Sequence, residues 1–325
     1  MSQRIQPPKD EVVIRAWLRT GGPAPTAVER IGPRRSKKSV LYRLHGAGEG
    51  GSPVVAKLCR GKHSHTEQRI YEDVLPQLGI PLPRYYGSVE EPEWLWLFME
   101  DGGSNRCDPG IPEHRVLAAR WLARFHGAAS RIAGTDLPDR GPAHHLELLR
   151  KGRRAVLANL GNPAFDDGHR GVLESLLVEC DALEARWEEI EEACGQLPRT
   201  LVHGDFCKKN LHIRSGPGGP EFFPMDWEMA GWGVPACDLW PSRREPKLPI
   251  CDVAEYGAAL REHWPDLEPS RLRGIVALGR VFRSLSSLVW VSGDLAYRYP
   301  DKPIPAIRIY RDEIGAALRE TAWAA

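Results

Sequence analysis

Two kinds of hydrophobic pattern meet at Glu100-Asp101-Gly102-Gly103. Before this point the apolar residues come in short runs, Ser39-Val40-Leu41-Tyr42-Arg43-Leu44, Pro53-Val54-Val55-Ala56-Lys57-Leu58, residues 85–89 and residues 94–99. Turn-rich segments separate them, as expected of strands in a small antiparallel sheet. The strand-type pattern begins at Val28, and residues 62–78 are helical in composition and stop at Gly79-Ile80-Pro81, so the predicted order is three strands, one helix, two strands. A short amphipathic helix over residues 11–18 precedes them and reads as a surface decoration. After Gly103 the pattern turns helical over residues 112–133, 146–160, 171–194 and from about 236 to the end. At 325 residues the chain exceeds a typical single domain. The expected fold is therefore α+β with two lobes: residues 1–101 as a small sheet lobe with one helix, residues 102–325 as a larger, mostly helical lobe. The apolar strand before residue 102 would serve as the hinge.

Inside the helical part, Thr200-Leu201-Val202 leads into His203-Gly204-Asp205-Phe206-Cys207-Lys208-Lys209-Asn210. A strand end thus presents a carboxylate and, five residues later, an amide. Phosphoryl transfer needs little more from a protein: a base for the acceptor proton, and oxygen ligands that hold Mg²⁺ against the phosphates. Sixteen residues beyond Asn210, after a hairpin with Gly216-Pro217-Gly218-Gly219 at its tip, Asp226-Trp227-Glu228 brings a second carboxylate. Asn210 and Asp226 are a sufficient pair of protein ligands for a hard ion that takes its remaining oxygens from phosphate and water. Upstream, Lys57 closes a strand where a kinase lysine meets the α and β phosphates. Glu67, Ile70 and Tyr71 share one helical face at spacings of three and four, which turns Glu67 inward as the partner of Lys57, with Glu72 as the alternative.

These motifs resemble the aminoglycoside phosphotransferase and choline kinase family, a small-molecule branch of the protein-kinase-like fold. The resemblance rests on His-Gly-Asp-x-x-x-x-Asn at residues 203–210, Asp226-Trp227-Glu228 in place of Asp-Phe-Gly, and the trailing Asp238-Leu239. Leu122-Ala123-Arg124-Phe125-His126 and Leu82-Pro83-Arg84 add to it, so the matches run in order from about residue 28 to 240. The resemblance implies Asp205 as catalytic base, Asn210 and Asp226 as Mg²⁺ ligands, Lys57 and Glu67 at the phosphates, and His203 and Asp238 as loop supports. It also implies a nucleoside triphosphate, ATP or GTP, whose purine is read by the run from Trp96 to Asp101, Glu100 included. One departure concerns the phosphate-covering loop. Residues 30–38 are basic with a single glycine rather than a Gly-x-Gly-x-x-Gly run, leaving backbone N–H groups around Ser36 or the side chains of Arg34, Arg35 and Lys37 to meet the phosphates, or a solvated basic turn.

The acceptor implied is a small molecule with a hydroxyl group, an antibiotic or related metabolite, with an amino alcohol or a sugar as the other choices. Glu228 and Trp232 are candidate contacts to it. Aminoglycosides would call for clustered carboxylates near Asp205, and the sequence does not visibly concentrate them. A protein kinase is disfavoured because Gly204 stands in place of Arg, no Ala-Pro-Glu follows Asp226, and the hairpin leaves no activation segment. A catalytically silent nucleotide-binding module is disfavoured by Lys57, Asp205, Asn210 and Asp226 occurring together. His203, Cys207, His212 and Cys237 follow no common zinc spacing. A net charge of +1 offers no footprint for nucleic acid or an anionic membrane. The apolar stretch 275–291 is interrupted by Arg280 and Arg283 and reads as a buried helix rather than a span. Seven cysteines without a Cys-x-x-Cys pair, and no cationic, apolar signal segment before them, point to reduced thiols in a cytoplasm. Nothing in the sequence indicates an oligomeric state.

Overall fold

Alternation along the first strands decides which side of the sheet each residue serves. The computed structural model describes residues 6–32, 39–60, 62–132, 136–216, 218–240, 249–320 and 323. By contact the chain divides into two units, Met1–Cys107 with Lys209–Ala230, and Asp108–Lys208 with Gly231–Ala325.

The first unit opens with helix α1 (Asp10–Leu18), then strands β1 (Ala27–Ile31), β2 (Ser39–His45) and β3 (Val54–Cys59), helix α2 (Lys62–Arg69), and strands β4 (Tyr85–Glu91) and β5 (Trp94–Glu100). They form an antiparallel sheet in the order β1-β2-β3-β5-β4. Because side chains alternate along a strand, Val40, Tyr42, Leu44, Val54, Ala56, Leu58, Trp96 and Phe98 fall on one face, where Val13, Ala16 and Trp17 of α1 cover them. This corrects the expectation that the N-terminal helix is a decoration. Its apolar stripe is a layer of the core, and Trp17 is almost completely buried against Phe98 and Tyr86. Lys57 has the opposite parity and sits between Leu41 and Leu97 in register. The helix expected over 62–78 is α-helical only to Arg69; a π-helical turn, Ile70–Val74, and a 3-10 turn, Leu75–Gln77, complete it. Ile70 and Tyr71 are buried there, and the Tyr71 hydroxyl contacts the Met99 sulfur at 3.6 Å.

From Asp108 the chain builds the second unit: α3 (Pro112–Ala129), β6 (Asp139–Arg140), α4 (Pro142–Leu157), α5 (Asp167–Ala185), α6 (Trp187–Gly195) and β7 (Thr200–Val202). It returns to the first unit as the hairpin β8 (Leu211–Gly216) and β9 (Gly219–Pro224). The remainder, β10 (Gly231–Gly233), α7 (Ala236–Leu239), α8 (Val253–Leu260), α9 (Pro269–Ser292) and α10 (Pro303–Glu320), belongs to the second unit. A boundary at residue 102 therefore leaves out two pieces of the first unit. The segment after Gly103 pairs with the hairpin, Cys107 N–H donating to Leu211 O at 2.8 Å and Ile213 N–H to Asn105 O at 2.9 Å.

In the second unit α9 packs against α4, α7 and α10, and α3 against α8. Gly279 lets α9 approach α7 closely: a Cβ there would stand 2.7 Å from the Ala236 carbonyl. The helix expected over 171–194 is two helices, interrupted at Arg186, whose guanidinium holds Glu189 and the Leu318 carbonyl. Among the described residues α9 is the one helix long and apolar enough to cross a membrane, and two thirds of its apolar window, 67%, is buried within the fold. The two arginines inside its apolar stretch are partnered, Arg280 by Glu313 and Glu320 and Arg283 by Asp205.

Candidate active site

The first unit gathers one cation and three carboxylates. Lys57 Nζ donates to Glu67 Oε2 at 2.6 Å and to Asp226 Oδ1 at 2.5 Å, with Lys57 and Glu67 both buried. Burial opposes the charge on Lys57, but the two carboxylates more than offset it and hold the ammonium well above its ordinary range. Burial pushes the Glu67 carboxyl up to about 7 against the pull of Lys57, and the nearby charges of Asp226 and Glu228 add to the rise. Glu72, the alternative partner, instead accepts from Tyr85 Oη at 3.0 Å and Ser88 Oγ at 2.9 Å. π-helical turns often occur at functional sites, and the one beginning at Ile70 follows directly on the helix that carries Glu67.

The hairpin register explains why Asn210 and Asp226 come together. Leu211 pairs with Pro224, and one step further Met225 N–H donates to the Asn210 backbone carbonyl at 2.9 Å. The open end of the hairpin therefore carries both residues. Asp226 has φ 71°, the one non-glycine residue among those described in the left-handed region. Asp tolerates this region better than most residues, and such backbone strain tends to persist where function holds it. The surplus of negative charge around Lys57 and the hard oxygens of Asp226 and Asn210 fit a divalent cation shared with phosphate. Among the described residues no three His, Cys, Asp or Glu side chains converge into a protein-only metal cage.

The second unit holds the loop that carries Asp205. Both oxygens of buried Asp238 accept loop amides, His203 N–H at 2.7 Å and Gly204 N–H at 2.8 Å. Gly204 has φ +74°, a conformation a larger residue would occupy only under strain. Asp238 Oδ2 also meets His126 Nε2 at 3.3 Å, and His126 Nδ1 meets the Tyr256 hydroxyl at 2.9 Å. Burial holds the Tyr256 phenol well above its usual pKa, and a neutral phenol donating to Nδ1 is the arrangement that leaves Nε2–H for Asp238. His203 Nδ1 accepts from the Asp205 amide at 3.3 Å. Asp205 is buried, with the Cys207 thiol 3.5 Å from its Oδ1 and Arg283 Nη1 3.0 Å from the same oxygen.

The sequence of the chain matches the profile of the Phosphotransferase enzyme family, APH, over residues 36–274. The chain belongs to this family. Its fold is protein-kinase-like, and several solved structures are similar to it. A spectinomycin phosphotransferase in complex with ADP and spectinomycin shares 12% identity at TM-score 0.57, covering 98% of this chain and 100% of that one. An aminoglycoside phosphotransferase from Alicyclobacillus acidocaldarius shares 15% at TM-score 0.60, covering 98% and 97%. A choline kinase from Cryptosporidium parvum shares 14% at TM-score 0.58, covering 91% of each chain. No curated protein matches the sequence.

Of the residues singled out for this phosphotransferase from its sequence, Lys57, Glu67, Asn210, Asp226 and Glu228 lie in the first unit, and His203, Asp205, Trp232 and Asp238 in the second. Ser36 falls outside the described residues. Glu100 has its side chain occupied by the Arg84 amide at 3.0 Å and by Arg214, and its own N–H donates to Arg84 O at 2.7 Å. Its polar groups are thus engaged in holding β4 and the hairpin to β5. Trp232 lies in β10, its amide on Pro138 O at 2.9 Å and its carbonyl accepting from Arg199 at 3.2 Å. Sequence reasoning assigned no role to His126, Tyr256 or Arg283. An arginine inside the apolar stretch 275–291 was a usable signal for the last, since a buried charge requires a partner.

Proposed function

We propose that this chain is a small-molecule kinase that transfers the γ-phosphoryl of ATP or GTP to a hydroxyl of an antibiotic or related hydroxylated metabolite. The observation that carries this reading is the pairing of Lys57 with Glu67 and Asp226 in one unit, together with an Asp205 loop held by Asp238 in the other. Asp205 accepts the proton of the acceptor hydroxyl, the new O–P bond forms at the γ-phosphorus, and the bond to the β-phosphate oxygen breaks to release the diphosphate. Lys57, kept charged and positioned by Glu67, binds phosphate oxygens. Asn210 and Asp226 would hold Mg²⁺, which would supply charge neutralisation at the phosphates when bound. Asp238 orients the loop through the amides of His203 and Gly204, and His126 and Tyr256 orient Asp238 in turn. Glu228 adds negative charge beside Asp226, which favours a metal-supporting role over acceptor contact.

The similar solved structures named above include antibiotic phosphotransferases and a choline kinase, which supports a hydroxyl acceptor without choosing one. A host expressing the chain, challenged with a panel of hydroxylated antibiotics, tests the antibiotic reading. Protection that disappears in Asp205→Asn supports it. Equal sensitivity of the expressing and control hosts across the panel removes it in favour of a metabolite.

A further inference from the structure

Arg283 is the cation that meets Asp205, and nothing in the phosphoryl-transfer scheme above uses it. It lies midway along α9, is 8% exposed, and Asp205 is its one ionic partner among the described residues. The guanidinium carries five donors in a planar fork. Nη1 serves Asp205 at 3.0 Å, whereas Nε is buried with no hydrogen-bond partner among the described residues. Trp290, two helical turns on, lies over the guanidinium at 5.2 Å from its ring centroid and is itself 48% exposed. Arg283, Ser287 and Trp290 are spaced i, i+4 and i+7, so they form one stripe along α9 that runs from the buried carboxylate to the surface.

We propose that Arg283 reads the acceptor, and that the acceptor is acidic: a compound whose phosphorylated hydroxyl lies near a carboxylate or phosphate group. This rests on Asp205 being the base. An ion pair keeps that carboxylate engaged in the resting protein. An acceptor anion takes the guanidinium, satisfies its unmet Nε donor through a second oxygen, and leaves Asp205 to receive the hydroxyl proton. That proton passes to Asp205 as the acceptor oxygen bonds to the γ-phosphorus and the nucleoside diphosphate departs, so the guanidinium exchanges partners without itself changing protonation. A cationic acceptor would instead meet like charge beside the base, which sets this protein apart from a site built for polyamines. The exposed outer face of Trp290 offers a surface on which a ring in the acceptor stacks.

The test is transfer of labelled γ-phosphoryl, with Mg²⁺ and either nucleotide, to four sets of hydroxyl compounds: hydroxy acids, sugar phosphates, neutral polyols, and amino alcohols with aminoglycosides. Transfer confined to the acidic sets supports the proposal, and the two acidic arms tell carboxylate from phosphate. In Arg283→Gln the KM for the acidic acceptor rises at least about thirty-fold, more than kcat falls, and Arg283→Lys recovers part of it. Equal or better kcat/KM for neutral or cationic acceptors overturns the proposal and leaves the kinase reading standing. So does an Arg283→Gln variant that lowers kcat alike for every acceptor at unchanged KM, because the residue would then only position Asp205. The ranking of the four sets by the wild-type protein decides the matter even where a variant fails to fold. A protein that binds nucleotide and transfers to no set removes the kinase reading, and this one with it.

Discussion

Lys57 Nζ stands 2.6 Å from Glu67 Oε2, while the other oxygen of that carboxylate, Oε1, is buried without a hydrogen-bond partner among the described residues. The pair is therefore asymmetric: Lys57 also holds Asp226, and Glu67 depends on Lys57. Removing the lysine leaves the buried Glu67 carboxylate and the part-exposed Asp226 carboxylate facing each other's field. Lys57→Met is expected to destabilise the protein by about 3 kcal/mol in denaturant titration, the usual cost of stripping one partner from a buried pair. Lys57→Met combined with Glu67→Leu is expected to recover most of that stability and no phosphoryl transfer, which separates the structural contribution of the pair from its proposed role at the phosphates.

The position of the Glu67 carboxyl gives a pH dependence with a definite sign. Its folded-state pKa lies at about 7 against an ordinary value of 4.5, so between those values the folded protein keeps a proton that the unfolded chain has lost. Stability from this group is present in full below pH 4.5 and declines as pH rises toward 7. Urea titrations across this window should show the wild type losing up to about 3 kcal/mol relative to Glu67→Gln, which does not titrate. A difference between the two proteins that stays flat across the window contradicts the assignment.

Asp238 takes one loop N–H on each of its two oxygens, with His126 Nε2 also on Oδ2, and an asparagine has one oxygen to offer. Asp238→Asn turns an amide group toward one of the loop N–H donors and leaves it unmet, at a cost of about 1–3 kcal/mol. The Asp205 loop then loses its anchor, and with Asp205 as the proposed base kcat is expected to fall on the order of 10²-fold, the cost of misplacing a catalytic group by about 1 Å. The KM for nucleotide should stay within about two-fold, since Lys57 and Asp226 belong to the other unit. Steady-state kinetics with a melting curve for the variant check both.

How much of this was legible in the sequence follows from how local each signal is. The five strands, α2 and the hairpin could be read because alternation, turn residues and caps are short-range, and Glu67 could be preferred over Glu72 because spacing alone turns it toward Ile70 and Tyr71. Burial of α1 was not legible: nine residues with an apolar stripe look the same on a surface as against a sheet until the partner face of Tyr42 and Phe98 exists. The break of α2 into a π-helical turn, and of residues 171–194 at Arg186, came from tertiary partners that local propensity does not contain. The hairpin's membership of the first unit depends on residues 105–107, which carry no strand pattern of their own. Arg283 was visible as an interruption of an apolar helix, but its partner lies 78 positions away. Only the fold brings it to Asp205.

The most direct measurement is transfer of labelled γ-phosphoryl from ATP or GTP to a small-molecule hydroxyl, identified as a phosphate monoester by mass spectrometry, in wild type and Asp205→Asn. The expected result is a labelled small molecule and no labelled protein, with kcat reduced about 10²- to 10⁴-fold in Asp205→Asn while nucleotide binding is kept. Transfer undiminished in Asp205→Asn, or nucleotide binding without transfer to any acceptor in a panel that includes acidic, neutral and cationic hydroxyl compounds, would contradict it.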